Sequence, residues 1–414
     1  MFDVIAVCVT LTALLAYLNC RFVGLPPTIG IMGIALGLSA AALGLGTLGY
    51  SILNEEAARL LASINFSVVL MQGMLSILLF AGALQVDLRA LRNFRWQIGA
   101  LAVVGTLVST CVVGVAMWLV LPYCAITLPF AYCLLFGTLI SPTDPIAVIA
   151  IMKSARAPAS LEIVMAGESL FNDGIGVVLF TLVFGIATGS EALGAGDAVA
   201  LLLREAGGGL AFGLVLGYAT YRLLKSIDSY QEEVLITLAA VLGGYALANH
   251  LHVSGPLAMV VAGMLVGNQG RELAMSDTTR AHIDSFWELL DSILNAVLFM
   301  LIGLQMVVIA ISPTLALAGL AAIAVTLGAR LLSVSLPFAA LGTRSGLPRG
   351  AWQILGWGGL RGGISVALAL SLPIGPARDI ITTLTYAVVV FSIVVQGTSI
   401  SALVRRYLPQ SGQD

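Results

Sequence analysis

The sequence predicts an all-α polytopic membrane protein, and three observations support this fold class. Hydrophobic residues make up 59% of the 414 residues and charged residues only 10%, whereas a soluble domain carries about 25% charged residues. Apolar runs of roughly 20 residues, long enough for a helix to cross a bilayer, recur along the chain. The runs are continuous, whereas the strands of a membrane barrel alternate polar and apolar residues over about 10 positions. We therefore expect helices, because lipid offers the backbone no other hydrogen-bond partner.

The composition excludes a soluble enzyme, a disordered chain and a nucleic-acid-binding protein. Nineteen basic and 21 acidic residues give a net charge of −2, which offers no electrostatic reason to expect a polyanion partner. The five cysteines are odd in number and lie in or beside apolar runs, which argues against a disulfide framework or a metal cluster. We expect no resident cofactor. The first run lacks a basic leader and a cleavage site, so we expect it to be retained.

Thirteen membrane spans are predicted, each taking about 22 residues. They cover roughly residues 3–20, 25–47, 64–86, 97–121, 127–152, 160–187, 198–222, 232–250, 254–268, 285–310, 314–340, 350–373 and 379–404. The connections between them are too short to hold a folded soluble domain. We therefore predict that residues 1–414 form a single integral membrane domain.

Basic residues are distributed unevenly between alternate loops. With the N-terminus outside, 14 of the 19 Lys and Arg residues fall on the inner side and only two fall in outer loops. Positively charged loops remain on the cytoplasmic side of a membrane. We predict an outside N-terminus and a cytoplasmic C-terminus, with a bacterial inner membrane as the expected location.

Two predicted spans are interrupted by helix-breaking residues. Span five contains Ser-Pro-Thr-Asp-Pro at 141–145, and span twelve contains Gly-Gly-Leu-Arg-Gly-Gly at 358–363. If span seven (about 198–222) is a linker helix, each interruption lies in the fifth span of a six-helix half, about 1–187 and about 232–404. The halves begin on opposite sides of the membrane, and broken helices at matching positions of inverted repeats indicate a transporter binding site. We predict two inverted six-helix repeats with crossed discontinuous helices.

Ionisable residues occur in the middle of several spans. They are Asp144, Glu168, Asp173, Arg330 and Arg361. A central Asp or Arg costs about 2.5–3.5 kcal/mol on insertion scales, so such residues need partners or a wet cavity. We predict that Glu168 pairs with Arg330. Asp144 and Arg361 are expected mainly to neutralise the ends of the broken helices, with direct ion binding by Asp144 as the alternative.

Span six carries the densest polar stretch, Gly-Glu-Ser-Leu-Phe-Asn-Asp-Gly at 167–174. On a helix, Ser169 and Asp173 share one face, and Glu168 and Asn172 share a neighbouring face. Oxygen atoms are the ligands that hard cations prefer, and the break in span five adds freed carbonyls and a Thr hydroxyl at the same depth. This stretch is therefore a candidate site for a small monovalent cation, and a structural polar network is the alternative.

These segments resemble the monovalent cation:proton antiporter family, in its NhaP/NHE sodium/proton exchanger branch. The matching pieces lie at 141–145, 167–174, 286–288, 294–295, 303–305 and 358–363. The resemblance extends over roughly residues 60–400. The sequence ends about ten residues after its last predicted span, so we do not expect the regulation by a long cytosolic tail that many relatives have.

The resemblance implies a thirteen-helix inverted-repeat fold in which a mobile six-helix core bundle packs against a dimerisation domain, giving a homodimer. It implies that Asp173 binds either the cation or the proton, with Ser169, Thr143 and Glu168 nearby. Asp173, Ser169 and Thr143 are then the expected sodium ligands. In this branch the residue corresponding to Glu168 pairs with an arginine like Arg330.

The predicted function is exchange of Na⁺ or Li⁺ for H⁺, and the protein is not expected to be an enzyme. A loaded Asp173 is locally neutral, whereas an empty one is a bare charge that resists crossing an apolar gate. Asn172 cannot titrate, and a Glu168 paired with Arg330 stays charged, so we predict electroneutral 1:1 exchange.

Three alternatives remain open at this point. A K⁺/H⁺ antiporter of the same fold is the nearest, because a few oxygen ligands do not determine the size of the ion. A cation channel is another, and an intramembrane protease using Asp144 and Asp173 is the third. Glu288 and Asp291, near the start of span ten, form either an inner ion funnel or a solvated interfacial pair.

Overall fold

The structure is a computed structural model that describes residues 2–47, 73–144, 148–149, 152, 157–189, 200–201, 203–308, 312–341, 346–348 and 350–407. All regular secondary structure within these ranges is helical.

The helices in the first half of the chain are α1 Phe2–Leu18, α2 Pro27–Thr47, α3 Leu75–Leu84, α4 Leu88–Asn93, α5 Arg95–Cys124, α6 Phe130–Ile140 and α7 Ala159–Thr188. Those in the second half are α8 Gly208–Leu224, α9 Tyr230–His250, α10 Gly255–Leu265, α11 Asp277–Gln305, α12 Pro313–Leu341, α13 Ala351–Trp357, α14 Gly363–Leu370 and α15 Pro376–Tyr407. Eight described helices are long and apolar enough to cross a membrane uninterrupted, and α3 and α6 are shorter apolar helices.

Each of the thirteen predicted spans contains described helix. Span three is represented by α3, and its first part, 64–72, lies outside the described residues. Span five is α6 followed by the break, and beyond Asp144 only 148–149 and 152 are described, so Pro145 falls outside. Span twelve is divided into α13 and α14. The all-helical fold class is confirmed, whereas the repeat boundaries stay a prediction.

Several helix ends follow local capping chemistry. Asp87 accepts hydrogen bonds from the backbone N–H groups of Arg89 (2.7 Å) and Ala90 (3.3 Å) at the start of α4. Ser254 and Ser276 accept from the third residue of α10 and α11 respectively. A polar side chain before the first turn satisfies N–H groups that the helix itself leaves unpaired.

The described helices pack into two groups. One, the scaffold group, contains α1, α2, α3, α8, α9, α10 and α11; the other, the core group, contains α5, α6, α7, α12, α13, α14 and α15. The core group corresponds to six of the predicted spans. The two groups meet mainly where α7 packs against α10 and α3, and where α14 packs against α11.

Small residues let α5 and α6 approach closely within the core group. A Cβ atom on Gly137 would lie 2.4 Å from the carbonyl oxygen of Thr110, and one on Gly114 would lie 2.9 Å from Cα of Leu134. Close backbone approach of this kind is how membrane helices gain packing energy without a hydrophobic driving force.

Gly137→Ala is therefore expected to lower the free energy of unfolding by about 1–3 kcal/mol, the usual range for overpacking a filled interior. Thermal unfolding of the purified protein in mild detergent measures the change. Gly37→Ala is the matched control, because a Cβ atom there meets nothing within 4 Å. Equal melting temperatures for the two variants would contradict the close approach of α5 and α6.

Candidate functional site

The two broken helices meet inside the core group. The backbone N–H of Asp144, in the break after α6, donates to the carbonyl of Leu360, in the break between α13 and α14, at 2.8 Å. The N–H of Arg361 donates to Ser392 Oγ at 2.9 Å. Backbone groups that lack helical partners are therefore satisfied by the opposite break and by α15, as buried polar backbone requires.

Arg361 lies at the carboxyl end of α6, and only 2% of it is exposed. Its guanidinium donates to the carbonyl of Ser141 and, at 2.9 Å, to that of Pro142. These carbonyls lie just past the last turn of the helix, where carbonyl groups lack partners within the helix. The cation thus lies at the negative end of the helix dipole, where the sequence predicts it.

Asp144 lies beside the amino end of α14, which is the positive end of that helix dipole. A Cβ atom on Gly362 would lie 2.2 Å from Asp144 Oδ2, so only glycine leaves room for the carboxylate there. Gly362 directly precedes α14, whose first N–H groups carry the positive end of the dipole. The two charged residues therefore sit at opposite ends of two half-helices.

Asp173 lies on α7 and faces a cavity of about 610 Å³ between the two groups. The residue is 8% exposed. Thr143 and Asp144 from the break also line the cavity, and Asp291 lines it from the scaffold group. The cavity extends to Asp87, which is exposed. A route therefore runs from the surface at the α3–α4 junction, on the predicted inner side, to the crossing of the broken helices.

Ser169, one turn before Asp173, is 1% exposed and donates to the carbonyl of Thr143. Asn172 holds the same residue from a second direction, because its Nδ2 donates to Thr143 Oγ1 at 2.9 Å and its Oδ1 accepts from the Thr143 N–H at 3.3 Å. Polar groups of α7 thus fix the broken segment beside Asp173. Ser169 and Asn172 are outside the described cavity lining.

Glu168 and Arg330 form a buried, bidentate ion pair. Arg330 Nη2 donates to Glu168 Oε2 at 3.0 Å, and Nη1 donates to Oε1. Nη2 also donates to the carbonyl of Leu355 at 2.9 Å. A Cβ atom on Gly359 would lie 2.3 Å from Arg330 Nε. The pair therefore joins α7, α12 and α13, and Glu168 is absent from the described cavity lining.

Sequence reasoning left Asp291 undecided, interpreted Asn295 as a structural residue and did not single out Ser365. Asp291 lines the cavity, whereas Glu288 is absent from its described lining. Asn295, one helical turn after Asp291, also lines it and donates to the carbonyl of Asp291 at 3.0 Å. Ser365 on α14 lines the cavity with a buried Oγ that has no hydrogen-bond partner among the described residues. The i, i+4 spacing of Asp291 and Asn295 in an apolar helix was the available signal.

A buried carboxylate at the meeting of two broken helices, reached by a cavity between two helix groups, defines the protein as a secondary transporter of the broken-helix class. The chain belongs to the sodium/hydrogen exchanger family, because the family's transmembrane profile matches residues 10–406. The family resemblance seen in the sequence motifs is thereby confirmed. The protein is an integral membrane transporter and not an enzyme.

Individual relatives agree with this assignment. The chain is 52% identical over 410 residues to the Na⁺/H⁺ antiporter NhaP of Pseudomonas aeruginosa, covering 98% of this chain and 97% of that protein. It is 37% identical over 382 residues to the Na⁺/H⁺ antiporter NhaH of Halobacillus dabanensis, covering 90% and 91%. The solved structure of the sodium proton antiporter MjNhaP1 from Methanocaldococcus jannaschii at pH 8 shares the fold, with a TM-score of 0.70 at 20% identity over 92% of this chain and 99% of that one.

Proposed function

We propose that the protein exchanges Na⁺ or Li⁺ for H⁺ across a bacterial plasma membrane, with Asp173 binding either ion. One observation carries the proposal: Asp173 is a buried carboxylate at the inner end of a cavity that reaches the surface. A carboxylate at membrane depth that lines a cavity marks a functional site by default. The relatives NhaP and NhaH are Na⁺/H⁺ antiporters, which supports exchange of the same two ions here.

The proposed cation ligands are oxygens of Asp173, Thr143 and Ser169, with Asp144 close enough to contribute charge. Ser169 and Thr143 are already hydrogen bonded to each other. A hard monovalent cation favours such a set of carboxylate, hydroxyl and carbonyl oxygens. Glu168 is proposed to act through its ion pair, since both of its oxygens accept from Arg330.

Coupling follows from the charge of the carrier. Asp173 is neutralised by one proton or by one cation, and in either state the core group can move past apolar surfaces of the scaffold group. Leu257 of α10 packs against Gly174, and Leu298 of α11 packs against Gly363. An empty, charged Asp173 would have to cross these contacts without water, which is costly for an unpaired charge. Exchange therefore needs no gate that senses both ions.

The scaffold group is proposed to form a homodimer in the lipid bilayer, with the N-terminus outside and the C-terminus in the cytoplasm. The family resemblance supports the dimer, and the distribution of basic residues supports the orientation. On α1, Ile5 is 57% exposed and Tyr17 is 61% exposed. These side chains suit contact with lipid or with a second copy.

Ion selectivity is tested with purified protein in liposomes that carry an imposed pH gradient. We expect Na⁺ and Li⁺ to dissipate the gradient with saturable kinetics and K⁺ to leave it intact. Dissipation by K⁺ at a comparable rate would favour the K⁺/H⁺ alternative instead. Cation uptake without counterflow of protons would indicate a channel and would overturn the proposal.

Stoichiometry is tested in the same liposomes with the membrane potential clamped by K⁺ and valinomycin. We expect the rate of Na⁺/H⁺ exchange to be the same at inside-negative and at zero potential. The reason is that Asn172 carries no titratable proton and Glu168 is held by Arg330, so only Asp173 changes its charge. A rate that follows the voltage would contradict 1:1 exchange.

A further inference from the structure

A second cavity, of about 510 Å³, lies on the other side of α7 from Asp173. Phe171 and Ile175, four residues apart on one face of α7, line it, whereas Leu170 and Asp173 face the first cavity. At about 100° per residue these two faces point in nearly opposite directions. The two cavities have no described lining residue in common.

We call the second cavity the arginine groove and define it by Arg92, Arg95, Gly99, Phe171, Ile175 and Met264. The short helix α4, the start of α5 and α7 provide most of its wall. Met264 is contributed by α10 of the scaffold group. The groove therefore lies across a boundary between the core group and the scaffold group.

The lining of the arginine groove is apolar except for two arginines at its exposed end. Apart from Arg92 and Arg95, the described lining residues are apolar, and no acidic residue is among them. Both arginines are exposed, and neither has an ion-pair partner within the described part of the chain. Beside them Trp96 is 70% exposed, with the Arg95 guanidinium 5.6 Å from its ring centroid. An exposed tryptophan next to basic residues is typical of the headgroup level of a membrane.

The dimensions and the charge specify the occupant. From Arg95 to Val103, the deepest lining residue of α5, eight residues rise about 12 Å, close to half of the ~30 Å hydrocarbon core. A small soluble anion would use the arginines and leave the apolar floor empty. A phospholipid of the inner leaflet would use both, and basic pockets between membrane helices favour anionic headgroups.

We propose that the arginine groove binds one anionic phospholipid, with the phosphate between Arg92 and Arg95 and an acyl chain along Phe171, Ile175 and Met264. The bound lipid contacts both helix groups. Its occupancy therefore alters the rate of ion exchange, a consequence that rests on the proposed function. Binding itself does not rest on it and is measured without transport.

The headgroup is tested by titrating delipidated protein in mild detergent with phosphatidylglycerol or phosphatidylcholine and counting bound lipids by native mass spectrometry. In Arg92→Gln/Arg95→Gln we expect phosphatidylglycerol to bind roughly 30-fold more weakly, about a factor of five for each basic residue near anionic lipid. Arg405→Gln/Arg406→Gln is the matched control, because these exposed arginines lie outside the groove. Equal loss in both double variants would overturn the assignment.

The acyl chain is tested by filling the groove. A Cβ atom on Gly99 meets nothing within 4 Å, so Gly99→Leu is accommodated by the backbone while its side chain enters the groove. We expect it to weaken phosphatidylglycerol binding at least 10-fold with both arginines retained. Gly243→Leu, on α9 and equally open, is the control and should bind as wild type does.

Two further results test whether the arginine groove binds a phospholipid. Glycerol phosphate, which carries the headgroup charge without a chain, should fail to displace bound phosphatidylglycerol, and efficient displacement would mean a site for free anions. Unchanged phosphatidylglycerol binding in both Gly99→Leu and the Arg92/Arg95 variant would overturn the proposal. Because these readouts involve no ion gradient, such a failure is distinct from a failure of the Na⁺/H⁺ proposal.

Discussion

Asp173→Asn is expected to abolish coupled exchange, lowering the Na⁺-dependent dissipation of a pH gradient at least ~100-fold, which corresponds to about 2.7 kcal/mol. Asparagine has almost the same shape, so the fold is retained. It loses the charge that attracts a cation, and charged ligands contribute more than neutral ones. It also no longer takes up or releases a proton, so competition between the two ions ends.

The matched control for this variant is Asp291→Asn. Asp291 lines the same cavity and undergoes the same chemical change, but it belongs to the scaffold group and lies on α11. We expect Asp291→Asn to keep coupled exchange, with the apparent affinity for Na⁺ reduced by weaker attraction into the cavity. Full exchange by Asp173→Asn would remove the basis of the proposed mechanism.

The largest expected effect on stability is at the Glu168–Arg330 pair. Glu168→Gln or Arg330→Met leaves one buried charge without its partner, which should lower the free energy of unfolding by about 3–5 kcal/mol. The double variant Glu168→Gln/Arg330→Met removes both charges and should recover most of that loss. Unfolding in mild detergent, followed by tryptophan fluorescence, measures all three variants.

The partly exposed ion pair between Arg271 and Asp284 is the control for the stability effect of the buried pair. Its side chains are 23% and 38% exposed, so Asp284→Asn should change the free energy of unfolding by at most about 1 kcal/mol. If Glu168→Gln is as mild as Asp284→Asn, the buried pair is not a structural tie between α7 and α12. Additive losses in the double variant would also count against a direct interaction.

Sequence reasoning predicted the fold class and the family, and both are confirmed. It also singled out the residues of the crossing, because proline and glycine interrupt otherwise apolar runs at 141–145 and 358–363. The contacts of Arg361 show what could not be predicted from the sequence. That a cation would neutralise a helix end was predictable from the dipole, but its contact with the carbonyls of Ser141 and Pro142 joins positions about 220 residues apart.

The residues around Asp173 also separate into features that the sequence predicted and contacts that it did not. Helical periodicity predicted that Ser169 and Asp173 share a face, and one-dimensional spacing is enough for that. It did not predict that Ser169 donates to the carbonyl of Thr143 or that Asn172 forms a reciprocal pair with that residue. The orientation of the repeats, the homodimer and the stoichiometry stay predictions.

The sequence by itself determined the helical membrane fold, the broken spans and the buried charges. The reason is that a charge or a helix breaker in an apolar run costs free energy in a bilayer, so such residues stand out along the chain. Only the tertiary structure decided which of those charges meet, that Asp291 lines the same cavity as Asp173, and that an arginine-lined groove lies on the other side of α7. Those features depend on which helices far apart in the chain pack together, and a pattern of small residues marks a packing face without naming its partner.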